Sequence, residues 1–181
     1  MFRYCFLAGA LALACPSAHS AIASIYTDLH GKACKTIEFD PQTRISTRRC
    51  VGVGGYSLLV HEANAQTSID IITPDRTVLP LEYWEVVTPG LAHVGRKAEW
   101  RVTVRNGKLV PQALLVRLNT GHEQLLGPRV APGAIITAAR IAPDGACVVY
   151  QGDAATRSAD DKARAAAVDP RRKCLGVFSE Q

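Results

Sequence analysis

The residues of this 181-residue chain that could carry chemistry are few and scattered. Cys34, Cys50, Cys147 and Cys174 lie in the body of the sequence, and Cys5 and Cys15 in its first twenty residues. A zinc site built from thiolates needs closely spaced pairs such as C-x-x-C, and the sequence has none. The histidines beyond residue 20 are His30, His61, His93 and His122, without an H-x-x-x-H or H-E-x-x-H spacing. His61-Glu62 and His122-Glu123 are neighbours in sequence, and neighbours on a strand point to opposite faces, so neither pair can grip one ion. Ser57 and Ser68 lack the G-x-S-x-G elbow that activates a serine nucleophile. Glu82, Glu85 and Glu99 could supply paired carboxylates for glycoside cleavage, but no spacing selects two of them. Gly52-Val53-Gly54-Gly55 lacks the Lys-Ser/Thr of a phosphate-binding loop and reads as a turn with positive φ. These residues assign no catalytic group, no metal and no cofactor.

The basic residues are more suggestive. Arg101, Arg105 and Lys108 are expected on the polar face of one hairpin, with Arg140 on a similar face of another strand. Arg171-Arg172-Lys173 adds a second cluster near the end. Such patches suit anionic glycans, lipid phosphates, peptidoglycan carboxylates or an acidic protein. Nucleic acid fits poorly, because aromatic residues for base stacking make up only 6% of the chain. Tyr83-Trp84 offers one further anchor: on a strand the two rings point oppositely, leaving one for a partner.

The first twenty residues read as a leader. Arg3 gives a positive start, Phe6 to Cys15 an apolar run, and Ala18-His19-Ser20 small residues at the −3 and −1 positions of a signal-peptidase site. Cleavage is expected after Ser20, leaving a single domain over residues 21–181. Removing the leader takes away Arg3 alone, so the net charge falls by one, from +5 to +4. Leu13-Ala14-Cys15 loosely matches a lipoprotein box, which makes lipidation at Cys15 the alternative. No later run is long and apolar enough for a transmembrane helix. In an exported chain the four remaining cysteines read as two disulfides.

The elements that must position these residues follow from turn signals. Hydrophobic residues make up 48% of the chain and charged ones 20%, a balance that supports a packed core. Val, Ile, Leu and Thr cluster in short runs between turn residues, the pattern of a β-rich protein. Strands are expected over Thr36–Phe39 and Arg44–Cys50, joined through Asp40-Pro41-Gln42-Thr43. Positions 34 and 50 are equidistant from Gln42, so such a hairpin sets Cys34 opposite Cys50. Further strands are expected over Tyr56–Ala63, Ile69–Ile72 and Leu81–Val87. Glu99–Arg105 alternates Trp100, Val102 and Val104 with Arg101, Thr103 and Arg105. Asn106-Gly107 then suits a two-residue hairpin turn. It sets Lys108 opposite Arg105, Val110 opposite Thr103 and Pro111 opposite Val102. Continued unbroken, that register would put Arg117 on the Trp100 face. A one-residue bulge near Pro111 is therefore expected, returning Leu114, Val116 and Leu118 to the interior.

A second hairpin is expected from Ala134–Ile141 and Ala146–Tyr150. Ser158 is expected to cap a helix over Ala159–Val168, stopped by Pro170. A Cys147–Cys174 bond would pin this helix to the preceding strand. The predicted fold is α+β: an antiparallel, β-rich domain with one C-terminal helix, stapled by disulfides Cys34–Cys50 and Cys147–Cys174.

Four segments in order carry a resemblance. They are Cys50 with Gly52 to Tyr56, the run Gly95-Arg96-Lys97-Ala98-Glu99-Trp100-Arg101, the run from Ala146-Cys147 through Tyr150 to Ala154, and the alanine-rich helix closing near Cys174. With them the chain resembles a family of uncharacterised, signal-peptide-bearing proteins of Gram-negative bacteria, marked by C-G-x-x-G-Y, G-x-x-x-E-W-R and C-x-x-x-Y…C segments. The likeness spans most of residues 21–181. Val51-Gly52 stands where that family has Gly directly after the cysteine. The resemblance implies a periplasmic location and paired cysteines, and no activity. The expected function is a non-enzymatic binding module for an anionic envelope component or partner protein. The alternatives are a hydrolase inhibitor acting through a loop at Thr120–Pro132, and an enzyme of unrecognised type.

Overall fold

A computed structural model describes residues 21–88, 92–121 and 133–176. The leader, Cys15, His122 and nearly all of the Thr120–Pro132 segment lie outside the described residues. The described residues form ten strands and two α-helices. The strands are β1 (Ala23–Asp28), β2 (Cys34–Asp40), β3 (Ile45–Val51), β4 (Ser57–Ala63), β5 (Gln66–Ile72), β6 (Val78–Pro80), β7 (Ala92–Arg105), β8 (Lys108–Thr120), β9 (Gly133–Ala142) and β10 (Gly145–Asp153). The helices are α1 (Tyr83–Val86) and α2 (Ala159–Val168). The strands form two antiparallel sheets of five, in the orders β1-β7-β8-β9-β10 and β2-β3-β4-β5-β6. The core lies between them: Leu58, Val60, Ile69 and Ile71 of one sheet meet Trp100, Val102, Leu114, Val116 and Leu118 of the other. Helix α2 covers the opposite face of the first sheet. Its stripe Ala159, Ala163 and Ala167 packs on Ala113, Leu115, Ile136 and Ala138. The fold is thus a disulfide-stapled, β-rich α+β domain in three layers, sheet, sheet and helix.

Local chemistry explains the main elements. In the β2–β3 turn the Asp40 carboxylate accepts bonds from the Gln42 amide at 2.8 Å and the Thr43 hydroxyl at 2.7 Å. The hydroxyl bond from Thr43 holds the Asp40 carboxyl below its usual range. Cys34 stands opposite Cys50 in register, and the two are bonded. Asn106 and Gly107 both take positive φ, and the hairpin they close pairs Arg105 with Lys108, Thr103 with Val110 and Val102 with Pro111, as expected. The expected bulge is present: Arg101 pairs with Ala113 but Val102 with Pro111, so Gln112 is the extra residue. Beyond it Leu114, Val116 and Leu118 are buried in the sandwich. Trp100 is fully buried, with Tyr56 edge-on at 6.3 Å and its indole N–H donating to Thr27 Oγ1 at 2.9 Å. Past α2 the chain turns back along β10, where Cys147 bonds Cys174 and the Leu175 amide donates to Val148 at 2.7 Å.

Several expectations are corrected. Leu81–Val87 is not a strand: residues 83–86 form the single turn α1. Its Tyr83 amide donates to Ser68 Oγ at 3.0 Å, and the Tyr83 hydroxyl accepts from Thr137 at 3.3 Å inside the sandwich. These long-range bonds outweigh the β propensity of the segment. The alternation of β7 fails at its end, where Thr103 is buried and Val104 exposed. At Val104 the hairpin has run past the sandwich core. Ser158 precedes α2 but makes no side-chain cap bond. Strand β7 begins at Ala92 rather than Glu99, and β1 and β6 carry no strong sequence signal.

Candidate functional site

The expected arginine face is largely occupied. Register places Ser24, Arg101, Ala113, Arg140 and Cys147 in one row across the sheet face that carries α2. Arg101 donates through Nη1 to Ser24 Oγ and lies 3.5 Å from Glu99. Arg140 donates to the Arg172 carbonyl at 3.0 Å. Both therefore anchor neighbouring segments. Arg105 and Lys108 are exposed at the far end of the β7–β8 hairpin. The four residues do not form one solvated patch.

A different cationic site forms where β7 departs from regularity. Between Val94 and Ala98 the β7–β8 register shifts, and Gly95, Arg96 and Lys97 together face Arg117 alone. Gly95 lets the strands approach closely here: a β-carbon would stand 3.1 Å from the Arg117 carbonyl oxygen, a tight contact. The swelling turns Arg96 and Lys97 out to solvent. Opposite them the first turns of α2 stand over β8 and β9. The gap is a cleft of about 450 Å³ lined by Leu115 and Ile136, which are buried, by Tyr26, and by the charged side chains of Arg96, Lys97, Arg117, Asp160 and Arg164.

Two of these cations are already paired. Arg164 forks onto Glu99, with Nε at 2.8 Å from Oε1 and Nη2 at 3.0 Å from Oε2. Ser24 also donates to Glu99, at 2.5 Å. Burial alone would raise the Glu99 carboxyl. The bonds from Arg164 and Ser24, with the charge of Arg164, outweigh it and hold the group below the ordinary glutamate range. The same bond raises Arg164 above the usual guanidinium range. Arg117 binds Asp160 at 2.7 Å and the Ala154 carbonyl at 3.2 Å. Arg96 and Lys97 pair with no carboxylate among the described residues. The cleft is therefore lined by two positive charges that have no carboxylate partner among the described residues.

The other candidates are spent structurally. His61 lies between Asp70, 2.8 Å from Nε2, and Thr47, 3.2 Å from Nδ1, and Thr47 also donates to Glu38 at 3.2 Å. The Asp70-His61-Thr47 order resembles a hydroxyl triad, but Thr47 is buried mid-strand and its neighbouring amides serve the ladders on both sides, so the row lacks an accessible nucleophile and oxyanion donors for acyl transfer. Glu62 faces the other way and pairs with Arg48 at 2.8 Å. Ser68 accepts from Tyr83, and Ser57 accepts from Arg49 at 3.1 Å. Tyr83 is buried, and burial pushes its hydroxyl above the usual phenol range. Trp84 is half-buried, its ring 6.5 Å from His61. Gly52 to Gly55 form a turn in which Gly54 and Gly55 take positive φ. Among the described residues no group of three or more His, Cys, Asp or Glu could hold a metal, and no helix is long and apolar enough to cross a membrane.

The segment Gly95 to Arg101 is one of those that carry the resemblance, and the structure gives each of its residues a place. Gly95 permits the swelling, Arg96 and Lys97 line the cleft, Glu99 holds α2, and Trp100 fills the core. No protein-family model matches the chain, and no curated protein or solved structure matches it.

Proposed function

We propose that this protein is an exported, non-enzymatic binding module of the bacterial envelope, and that it takes an anionic envelope component in the cleft beside α2. The observation that carries this reading is the pair of exposed cations Arg96 and Lys97, which line a cleft of about 450 Å³ and pair with no carboxylate among the described residues. That volume is within the range of small-ligand sites. The two disulfides support an oxidising compartment, consistent with a periplasmic location after removal of a leader ending at Ser20. Recognition is electrostatic on a pre-formed scaffold: little of the cleft must reorganise, so little ordering entropy opposes binding.

Titration with inorganic pyrophosphate, followed by amide chemical shifts, tests the reading. Binding weakens from 50 to 300 mM salt, and the double variant Arg96→Ala/Lys97→Ala loses about tenfold or more in affinity, as expected for two charge-assisted contacts. The variant Arg105→Ala/Lys108→Ala binds as the parent does. Salt-independent binding, or equal loss in the two double variants, overturns the assignment.

A further inference from the structure

Resting on that reading, we infer that the ligand of the α2 cleft is an acidic saccharide, a sugar unit bearing one carboxylate or phosphate. Three features of the cleft select this chemistry. The first is Tyr26, on edge strand β1, which is 52% exposed and lines the cleft. Its hydroxyl accepts from Arg164 Nη2 at 3.2 Å, and Arg164 is itself fixed on Glu99. The ring is a preset platform, whose negatively polarised face suits the C–H face of a pyranose.

The second feature is the aliphatic lining. Leu115 and Ile136 are each only 2% exposed. They themselves offer almost no apolar area to an acyl chain, which leaves the exposed Tyr26 ring as the apolar surface that a ligand meets first. The third is the mixture of polar groups. Asp160 and Asn119 line the cleft along with the cations. Asp160 gives one oxygen to Arg117 at 2.7 Å, and its carboxylate can accept hydrogen bonds from ligand hydroxyls. A saccharide with one anionic group on each sugar unit and several hydroxyls satisfies both sides: an anion at Arg96 and Lys97, the hydroxyls at Asp160 and Asn119, a ring face on Tyr26.

Isothermal titration of the full exported chain with digalacturonic acid, lactose, acetate and phosphatidylglycerol vesicles tests this. Digalacturonic acid binds at least tenfold tighter than acetate or lactose. Tyr26→Ala removes that advantage while pyrophosphate binding stays within twofold of the parent, which also shows that the variant is folded. Tyr26→Phe, which keeps the ring, retains most of the affinity. If digalacturonic acid binds no better than acetate while pyrophosphate still binds through Arg96 and Lys97, the saccharide inference falls and the anion-binding function stands. Vesicles that bind tighter than the disaccharide overturn it in favour of a lipid surface. If neither pyrophosphate nor digalacturonic acid binds, both readings fall.

Discussion

Glu99→Gln tests what holds α2 on the sheet. The parent carboxylate is 6% exposed and receives two bonds from Arg164 and one from Ser24, with Arg101 at 3.5 Å. Removing one member of a fully buried pair costs about 3–5 kcal/mol, because the other charge is left uncompensated. Here the Arg164 side chain is 31% exposed, and a glutamine oxygen still accepts one bond, so water and the amide recover part of the loss. The expected cost is about 2–3 kcal/mol, read by urea unfolding at pH 7. For a domain of this size that corresponds to a fall in Tm of about 5–10 °C. The comparison variant Arg117→Ala breaks a pair whose members are 42% and 45% exposed, and should cost no more than about 1 kcal/mol.

Acidity sharpens the test. The folded Glu99 carboxyl lies below its ordinary range, while in the unfolded chain it returns to the ordinary glutamate value. Between those values the unfolded state binds more protons. The stability from Glu99 is therefore complete above the unfolded value and is lost as pH falls through the folded one. The gap between parent and Glu99→Gln should close as pH drops from 5 to below the folded value. A difference under about 0.5 kcal/mol at pH 7, or a gap unchanged on acidification, would refute the role given to this carboxylate.

Two further perturbations probe the backbone. Deleting Gln112 removes the β8 bulge but keeps the register, because Ala113 stays opposite Arg101 and Leu114 opposite Trp100 directly after Pro111 opposite Val102; the expected result is a folded variant that unfolds cooperatively by circular dichroism, and loss of cooperative unfolding would show that Gln112 is not a mere insertion in the ladder. Gly54 has φ +63° and a β-carbon there would meet the Leu109 carbonyl oxygen at 2.4 Å, whereas Gly107, at φ +73°, has open space around it. Gly107→Ala should cost about 1 kcal/mol from backbone conformation alone, and Gly54→Ala clearly more in the same urea series; equal costs would mean the Gly54 contact relaxes freely.

What was legible in the sequence is what local pairing determines. Cys34 and Cys50 are symmetric about Gln42, and Asn106-Gly107 counts out its own register, so both hairpins follow from spacing. The Gln112 bulge is legible because the unbroken register buries Arg117, a costly outcome. What was not legible depends on distant partners. Nothing in the strands says that ten of them divide into two sheets rather than one. The Leu81–Val87 run is apolar enough for a strand, and only Ser68 and Thr137, far away in sequence, turn it into α1. The arginine face was expected to meet solvent because the landing place of α2 is set by an alanine stripe whose complement lies on β8 and β9. The Glu99–Arg164 pair joins residues 65 apart in sequence, and no spacing rule relates them.

The candidate site follows from one irregularity and one contact. A regular β7 would alternate its side chains and deliver at most every second residue to the α2 face. The Gly95–Lys97 swelling brings two adjacent cations to solvent together, while the Arg96 carbonyl still accepts from the Leu29 amide at 2.9 Å, so the departure leaves that backbone group satisfied. The alanine stripe lets α2 sit low over Leu115 and Ile136, and the Glu99–Arg164 fork sets how far its first turns stand from β7. Arg164 also fixes Tyr26, so the group that stabilises the helix orients the cleft wall. In the proposed reading stability and recognition are coupled through one guanidinium: loosening it removes a helix anchor and frees the aromatic platform in the same step, whereas Arg96 and Lys97, whose side chains pair with no carboxylate among the described residues, can be varied for binding alone.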